Sequence, residues 1–175
     1  MKDPKREPEA SIVETDEGTV ISHITEEEDF PQEAVRLSSA ELVQFQTWEQ
    51  GAQEFLTAYT QPQSQDELKQ YDEAFQAWQR SPDRRHSDED VINIVGAYLG
   101  QRMVRDFGME WVLVTDKYGR DYAVRHKTSE LMSFPFSSVM KRIEDKENGF
   151  VHGVYHVLKH ELENGKWKQR TDLEE

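Results

Sequence analysis

The 175-residue chain contains no cysteine. That excludes disulfides, a thiolate nucleophile and any cysteine-ligated zinc. Positive charge is also scarce: 21 Lys and Arg face 35 Asp and Glu, a formal net of −14. Affinity for a nucleic-acid backbone comes from cationic side chains that displace condensed counterions, so a nucleic-acid partner is not expected. No apolar run approaches the roughly 20 residues that cross a bilayer. The opening Met1 to Ala10 lacks the apolar stretch of a secretory leader, so no membrane partner is expected and the expected compartment is the cytoplasm. Glycine is thinly spread, with Gly18, Gly51 and Gly165 too isolated to cradle phosphates. No Walker loop, dinucleotide fingerprint or G-x-S-x-G motif occurs.

Aromatic residues are plentiful, with eight Phe, six Tyr and four Trp to supply a core. The low apolar fraction of 35% and the high charged fraction of 32% imply that part of the chain stays out of that core. Residues 1–36 carry four Lys or Arg against eleven Asp or Glu, whereas residues 87–160 carry ten against eleven. The acid is concentrated at the front, and residues 1–36 are expected to be an acidic, largely flexible tail. Within it, residues 11–24 have the pattern of a marginal hairpin around Gly18. A single domain is expected over 37–163, followed by a mobile tail over 164–175.

Inside the domain the local signals are clear. Ser38 with Glu41 forms a capping box ahead of Leu42, Phe45, Trp48, Ala52, Phe55, Leu56 and Tyr59, a helical stripe. After Pro62, Ser64 and Glu67 repeat the box before Leu68, Tyr71, Phe75 and Trp78, and the short connection implies an antiparallel helix pair. Ser87 opens a long helix, with Ile92, Val95, Leu99, Met103 and Phe107 as its stripe and Gly108 as a left-handed stop. Gly96 and Gly100 lie one turn apart within it, which predicts another backbone close by. Trp111–Thr115 and Asp121–Arg125 read as strands joined through Lys117, Tyr118 and a left-handed Gly119, with a third strand over 130–134. Two helices follow, one over Phe136, Val139, Met140 and Ile143 that closes at Asn148-Gly149, the other over Phe150 to Leu162. The fold class is therefore α+β: a helix pair and a long helix packed with a small antiparallel sheet and two C-terminal helices.

Three segments, Glu89-Asp-Val-Ile-Asn-Ile-Val-Gly-Ala-Tyr-Leu-Gly100, Trp111-Val-Leu-Val-Thr-Asp-Lys-Tyr-Gly-Arg-Asp121 and Phe134-Pro-Phe-Ser-Ser-Val-Met-Lys-Arg-Ile-Glu-Asp145, resemble an uncharacterised bacterial family of domains of unknown function. The resemblance covers about residues 85–160. It implies no activity and transfers no catalytic residue.

Three groups carry chemistry. His152, His156 and His160 recur every fourth residue, so a helix places them on one side, where adjacent pairs can hold zinc or a similar divalent ion. A plain solvated helix face explains the same spacing. Asp116, Tyr118, Arg120 and Asp121 crowd a hairpin tip with Arg125 nearby, a set that suits a polar ligand or acid–base work but equally suits a tight turn. Phe134 and Phe136 around Pro135 either anchor a helix entry in the core or line a groove for a partner peptide. With no catalytic motif and no required cofactor, the expected function is a non-catalytic module that binds another protein, as an accessory or immunity-like factor. The alternative is a small metal-dependent enzyme or ligand-binding protein.

Overall fold

The computed structural model describes residues 10–15, 18–23, 32–60, 64–147 and 149–170, the first two stretches as backbone only. The rest of the acidic front and residues 171–175 lie outside the described residues. Strands β1 (Ala10–Thr15) and β2 (Gly18–His23) pair antiparallel from Ala10↔His23 to Thr15↔Gly18, the ribbon expected from the sequence. They form a sheet of their own.

The main sheet has the order β3-β4-β5-β6 and is antiparallel throughout, with β3 at Glu33–Arg36, β4 at Met109–Asp116, β5 at Gly119–His126 and β6 at Met132–Ser133. The last residues of the segment read as tail thus belong to the sheet. The turn between β4 and β5 consists of Lys117 and Tyr118 alone, not the three residues with a glycine bulge expected from the sequence, because Gly119 already pairs with Asp116; its positive φ of 131° suits glycine. Side chains alternate across β4. Met109 and Trp111 join the main core, while Val112 and Val114 join Ala123, Ala34, Met132 and Phe134 in a smaller cluster. This two-sided burial accounts for the unbroken apolar run Trp111–Val114.

Helix α4 (Asp88–Phe107) is the hub. Ser87 caps it in a box with Asp90, and Gly108 stops it in the left-handed region at φ 64°, ψ 28°. Around α4 pack α1 (Ser39–Gln50), α2 (Ala52–Tyr59), α5 (Pro135–Asp145), α6 (Phe150–Asn164), β4 and β5. All residues from Val95 to Gly100 are buried, so α4 has no solvent face there and the single stripe expected from its sequence is too narrow. The glycines accommodate side chains rather than a neighbouring helix's backbone alone. A Cβ on Gly96 would lie 2.6 Å from the Phe136 ring, and one on Gly100 would lie 2.1 Å from the Trp111 ring and 3.0 Å from Pro135.

The first helix, expected to be continuous, is divided at Gly51, whose amide bonds the Trp48 carbonyl at 3.0 Å instead of the carbonyl four residues back. The division lets α1 pack on α4 while α2 packs on α3 (Glu67–Arg80). Asp66, not Ser64, caps α3: its Oδ1 accepts the Leu68 amide at 2.9 Å, and Ser64 Oγ accepts the Asp66 amide. The left-handed Lys146, φ 55°, ends α5 before the expected Asn148-Gly149. Residues beyond α6 do not trail away through Arg170. Gln169 bridges Ser129, and the Arg170 amide donates to the Thr128 carbonyl at 3.0 Å.

Helix propensity alone predicts that Gly100→Ala stabilises α4 by about 1 kcal/mol. The rigid Trp111 and Pro135 rings reverse the sign, and a net destabilisation of roughly 1–3 kcal/mol is expected. Urea unfolding of Gly100→Ala against the wild type checks this, since an unchanged or higher midpoint contradicts the packing argument.

Candidate functional site

The hairpin tip is occupied with holding itself together. Asp116 Oδ1 accepts the Tyr118 amide at 2.7 Å, the pattern by which aspartate fixes a tight turn. Asp121 accepts the Tyr122 amide and the Ser137 hydroxyl, tying β5 to α5. Tyr118 is 76% exposed with the Lys117 ammonium 4.8 Å from its ring centroid, and Arg120 is exposed at the start of β5.

Arg125 lies elsewhere, directly across the ladder from Glu110. Glu110 accepts from Arg125 at 3.3 Å and from Arg170 at 2.9 Å, with Arg36 Nε 3.3 Å away on its other oxygen. Arg170 also donates to the carbonyls of Lys127 and His126. Burial alone raises the Glu110 pKa, but the hydrogen bonds from Arg170 and Arg125 and the charge of Arg36 outweigh it, and the carboxyl sits below its ordinary value.

The Phe134–Phe136 groove does not form. Phe136 is buried beside Gly96 and packs edge-on against Phe45 at 5.2 Å and Trp48 at 5.9 Å. Phe134 is half-buried in the smaller cluster, and its carbonyl accepts the Ser138 amide at the start of α5. Core anchoring accounts for both rings.

The histidine row behaves differently from its spacing. His152 and His156 lie side by side with ring centroids 4.1 Å apart, and Asp66 joins them from the start of α3. One ligand atom from each of the three lies within 4.8 Å of the others, with His152 Nε2 3.6 Å from Asp66 Oδ2. His160 is not part of the group; it is exposed, beside Asn164. Burial first, then the neighbouring His152, holds the His156 pKa below its ordinary value, although Asp66 pulls the other way. Lys69 and Lys159 add to the lowering.

What fixes α6 over α3 is Asp72, buried on α3. Its two oxygens accept the amides of Val151 at 2.7 Å and His152 at 3.1 Å, the first turn of α6. Helix α6 has no side-chain cap of its own, because Gly149 precedes it. Beside this contact a polar chain joins three helices: Arg102 on α4 reaches Glu67 and Asp106, and Tyr155 on α6 donates to Asp106 at 2.7 Å. Burial, followed by that hydrogen bond, pushes the Tyr155 phenol up to about 12.

Asp66 and Asp72 were invisible as site residues in the sequence. Asp66 carries a local signal, an acid just ahead of Leu68 at a helix start, but nothing in the spacing links either aspartate to α6. Neither the hairpin tip nor the histidine pair opens into the depression of about 390 Å³ lined by Gln53, Glu54, Thr57, Ala58, Arg85 and His86.

Residues 75–155 match the family model "Domain of unknown function (DUF3806)", in agreement with the resemblance carried by the three motifs. The match takes in the end of α3, α4, β4 to β6, α5 and α6 as far as Tyr155, and leaves out Asp66, Asp72 and His156. No curated protein matches the chain. A crystal structure at 1.50 Å resolution of a protein from Bacteroides thetaiotaomicron VPI-5482 is similar, with a TM-score of 0.55 and 12% identity over 81% of this chain and 51% of that one. The chain thus spans about half the length of that protein, and the likeness is one of α+β fold. Among the described residues no helix is long and apolar enough to cross a membrane.

A carboxyl with a lowered folded pKa contributes stability above its unfolded pKa, about 4.3 for glutamate, and loses it as pH falls through the folded value. Glu110→Gln is therefore expected to cost about 2–4 kcal/mol at pH 7 by stranding its arginines, and progressively less in acid. Urea unfolding of both proteins at pH 7 and pH 3.5 measures the gap; a gap of equal size at both pH values refutes the ion-pair assignment.

Proposed function

We propose that the chain is a non-catalytic cytoplasmic protein-binding module, accessory or immunity-like, that docks another protein on the corner where β3 turns into α1. The observation that carries this reading is the exposure of apolar side chains at that corner: Val35 on β3 at 44%, and Leu42 and Val43 on α1 at 38% and 59%. Leu42 belongs to the stripe that the sequence assigns to the core, yet α1 buries only Phe45 fully. Apolar groups collected on adjoining elements mark interaction surfaces more often than isolated ones do.

The engagement of the hairpin carboxylates supports the non-catalytic part of the reading. Asp116 and Asp121 each satisfy a backbone amide, and Arg125 shares Glu110 with Arg170, so both sets already serve the fold. The chain's net charge of −14 favours a partner whose contact surface is apolar with a basic rim.

The double variant Leu42→Asp, Val43→Asp alters only exposed positions and leaves the thermal unfolding midpoint within a few degrees of wild type. Affinity capture from lysate, quantified by mass spectrometry for the two baits in parallel, tests the surface. A protein retained by wild type and depleted at least tenfold with the variant supports docking there; equal capture by both baits removes this corner as the binding surface.

A further inference from the structure

We propose that Asp66, His152 and His156 form a binding site for one divalent transition-metal ion of the zinc class, and that the ion clips the start of α3 to the first turns of α6. The donor set is assembled by three separate restraints. The i, i+4 spacing on α6 brings both imidazoles to one side, with ring centroids 4.1 Å apart. The Asp66 carboxylate is oriented because Oδ1 accepts the Leu68 amide, which leaves Oδ2 3.6 Å from His152 Nε2. The axial setting of His152 is fixed by Asp72, which holds its backbone amide.

Zinc bonds of about 2.0–2.1 Å in a tetrahedron put ligand atoms about 3.4 Å apart. The Asp66–His152 separation of 3.6 Å is already close to that, and the remaining ligand-atom spacings are within 4.8 Å. Two imidazole nitrogens and one carboxylate oxygen suit zinc, cobalt or nickel rather than magnesium or calcium, which prefer oxygen donors throughout. Lys69 and Lys159 oppose a cation, and the Asp66 charge offsets them in part. With three protein ligands, water completes the coordination. His160 stays outside, which separates this site from a simple row of surface histidines.

Isothermal titration of the tag-free full chain, freed of metal by chelator and then dialysed, tests the site with zinc at pH 7.5. One ion per chain is expected, with no heat from magnesium. Affinity is expected to fall at least tenfold in His156→Ala and about tenfold in Asp66→Asn, a change that keeps an acceptor oxygen for the α3 cap, and to stay within twofold of wild type in His160→Ala. Zinc is also expected to raise the thermal midpoint of wild type and not that of His156→Ala. The proposal fails if the wild type takes up no zinc, if magnesium binds as well as zinc, or if His160→Ala weakens binding as much as His156→Ala while Asp66→Asn does not. If Asp66→Asn does not fold, the contrast between His156→Ala and His160→Ala decides alone.

Discussion

The arrangement of the domain depends on how closely two aromatic rings approach the middle of one helix. Gly96 and Gly100 each cost α4 about 1 kcal/mol of helix propensity relative to alanine. In return, Phe136 and Trp111 lie directly on the helix surface, where no other residue leaves room for them. That contact fixes the depth at which α5 and β4 sit. Phe136 and Trp111 in turn make edge contacts with Phe45, at 5.2 Å and 4.7 Å, and so locate α1. Such ring pairs contribute about 0.5–1.5 kcal/mol each beyond the area they bury. The exposed corner at Leu42 and Val43 is therefore positioned indirectly by two glycines in the centre of the fold.

A second dependence runs through a buried carboxylate. The amides at the start of α6 need acceptors, and the helix brings none with it. Asp72 supplies both from α3, where its negative charge also meets the positive end of the α6 dipole. Phe75, one turn further along α3, packs on Phe150 at 5.0 Å, so polar and apolar contacts set the same register. With that register in place His152 faces Asp66. The pairing of imidazole and carboxylate is a consequence of how α6 is capped.

Signals that act within four residues were legible in the sequence. The capping box at Ser38, the helix start at Ser87 and the stop at Gly108 are there, as is the positive φ at Gly119, because each solves a local hydrogen-bond or backbone problem. Where two local solutions competed, the capping-box pattern selected the wrong one, Ser64 with Glu67. Ser64 and Asp66 both offer a cap for α3, and the structure uses Asp66 as the cap and Ser64 to hold Asp66. Gly51 gave no break signal, since the turn there takes ordinary helical angles and serves the passage of α4, whose Ile94 lies 3.3 Å from where a Cβ would be. Long-range partners left no trace at all: Asp72 lies 79 positions from Val151 and Arg170 lies 60 from Glu110. The histidine spacing puts His152 and His156 side by side, as they are in the structure, but carries no sign of Asp66, because periodicity on one helix holds no information about the neighbouring helix.

The acidity of the chain does not by itself define a binding face within the domain. Glu49 and Glu67 pair with arginines of α4, Asp106 pairs with Arg102, Glu110 holds its own set of arginines, and Asp66 and Asp72 satisfy helix amides. These carboxylates act as structural acceptors first. Surface left for recognition is then better sought where apolar groups stay uncovered, at the β3–α1 corner, and where donor atoms converge, between α3 and α6. Neither region includes a residue of the other, and both pack on α4. They are linked through α4, whose consecutive buried residues and ring-filled glycines leave it little freedom to move, and through α2, which joins α1 and packs on α3.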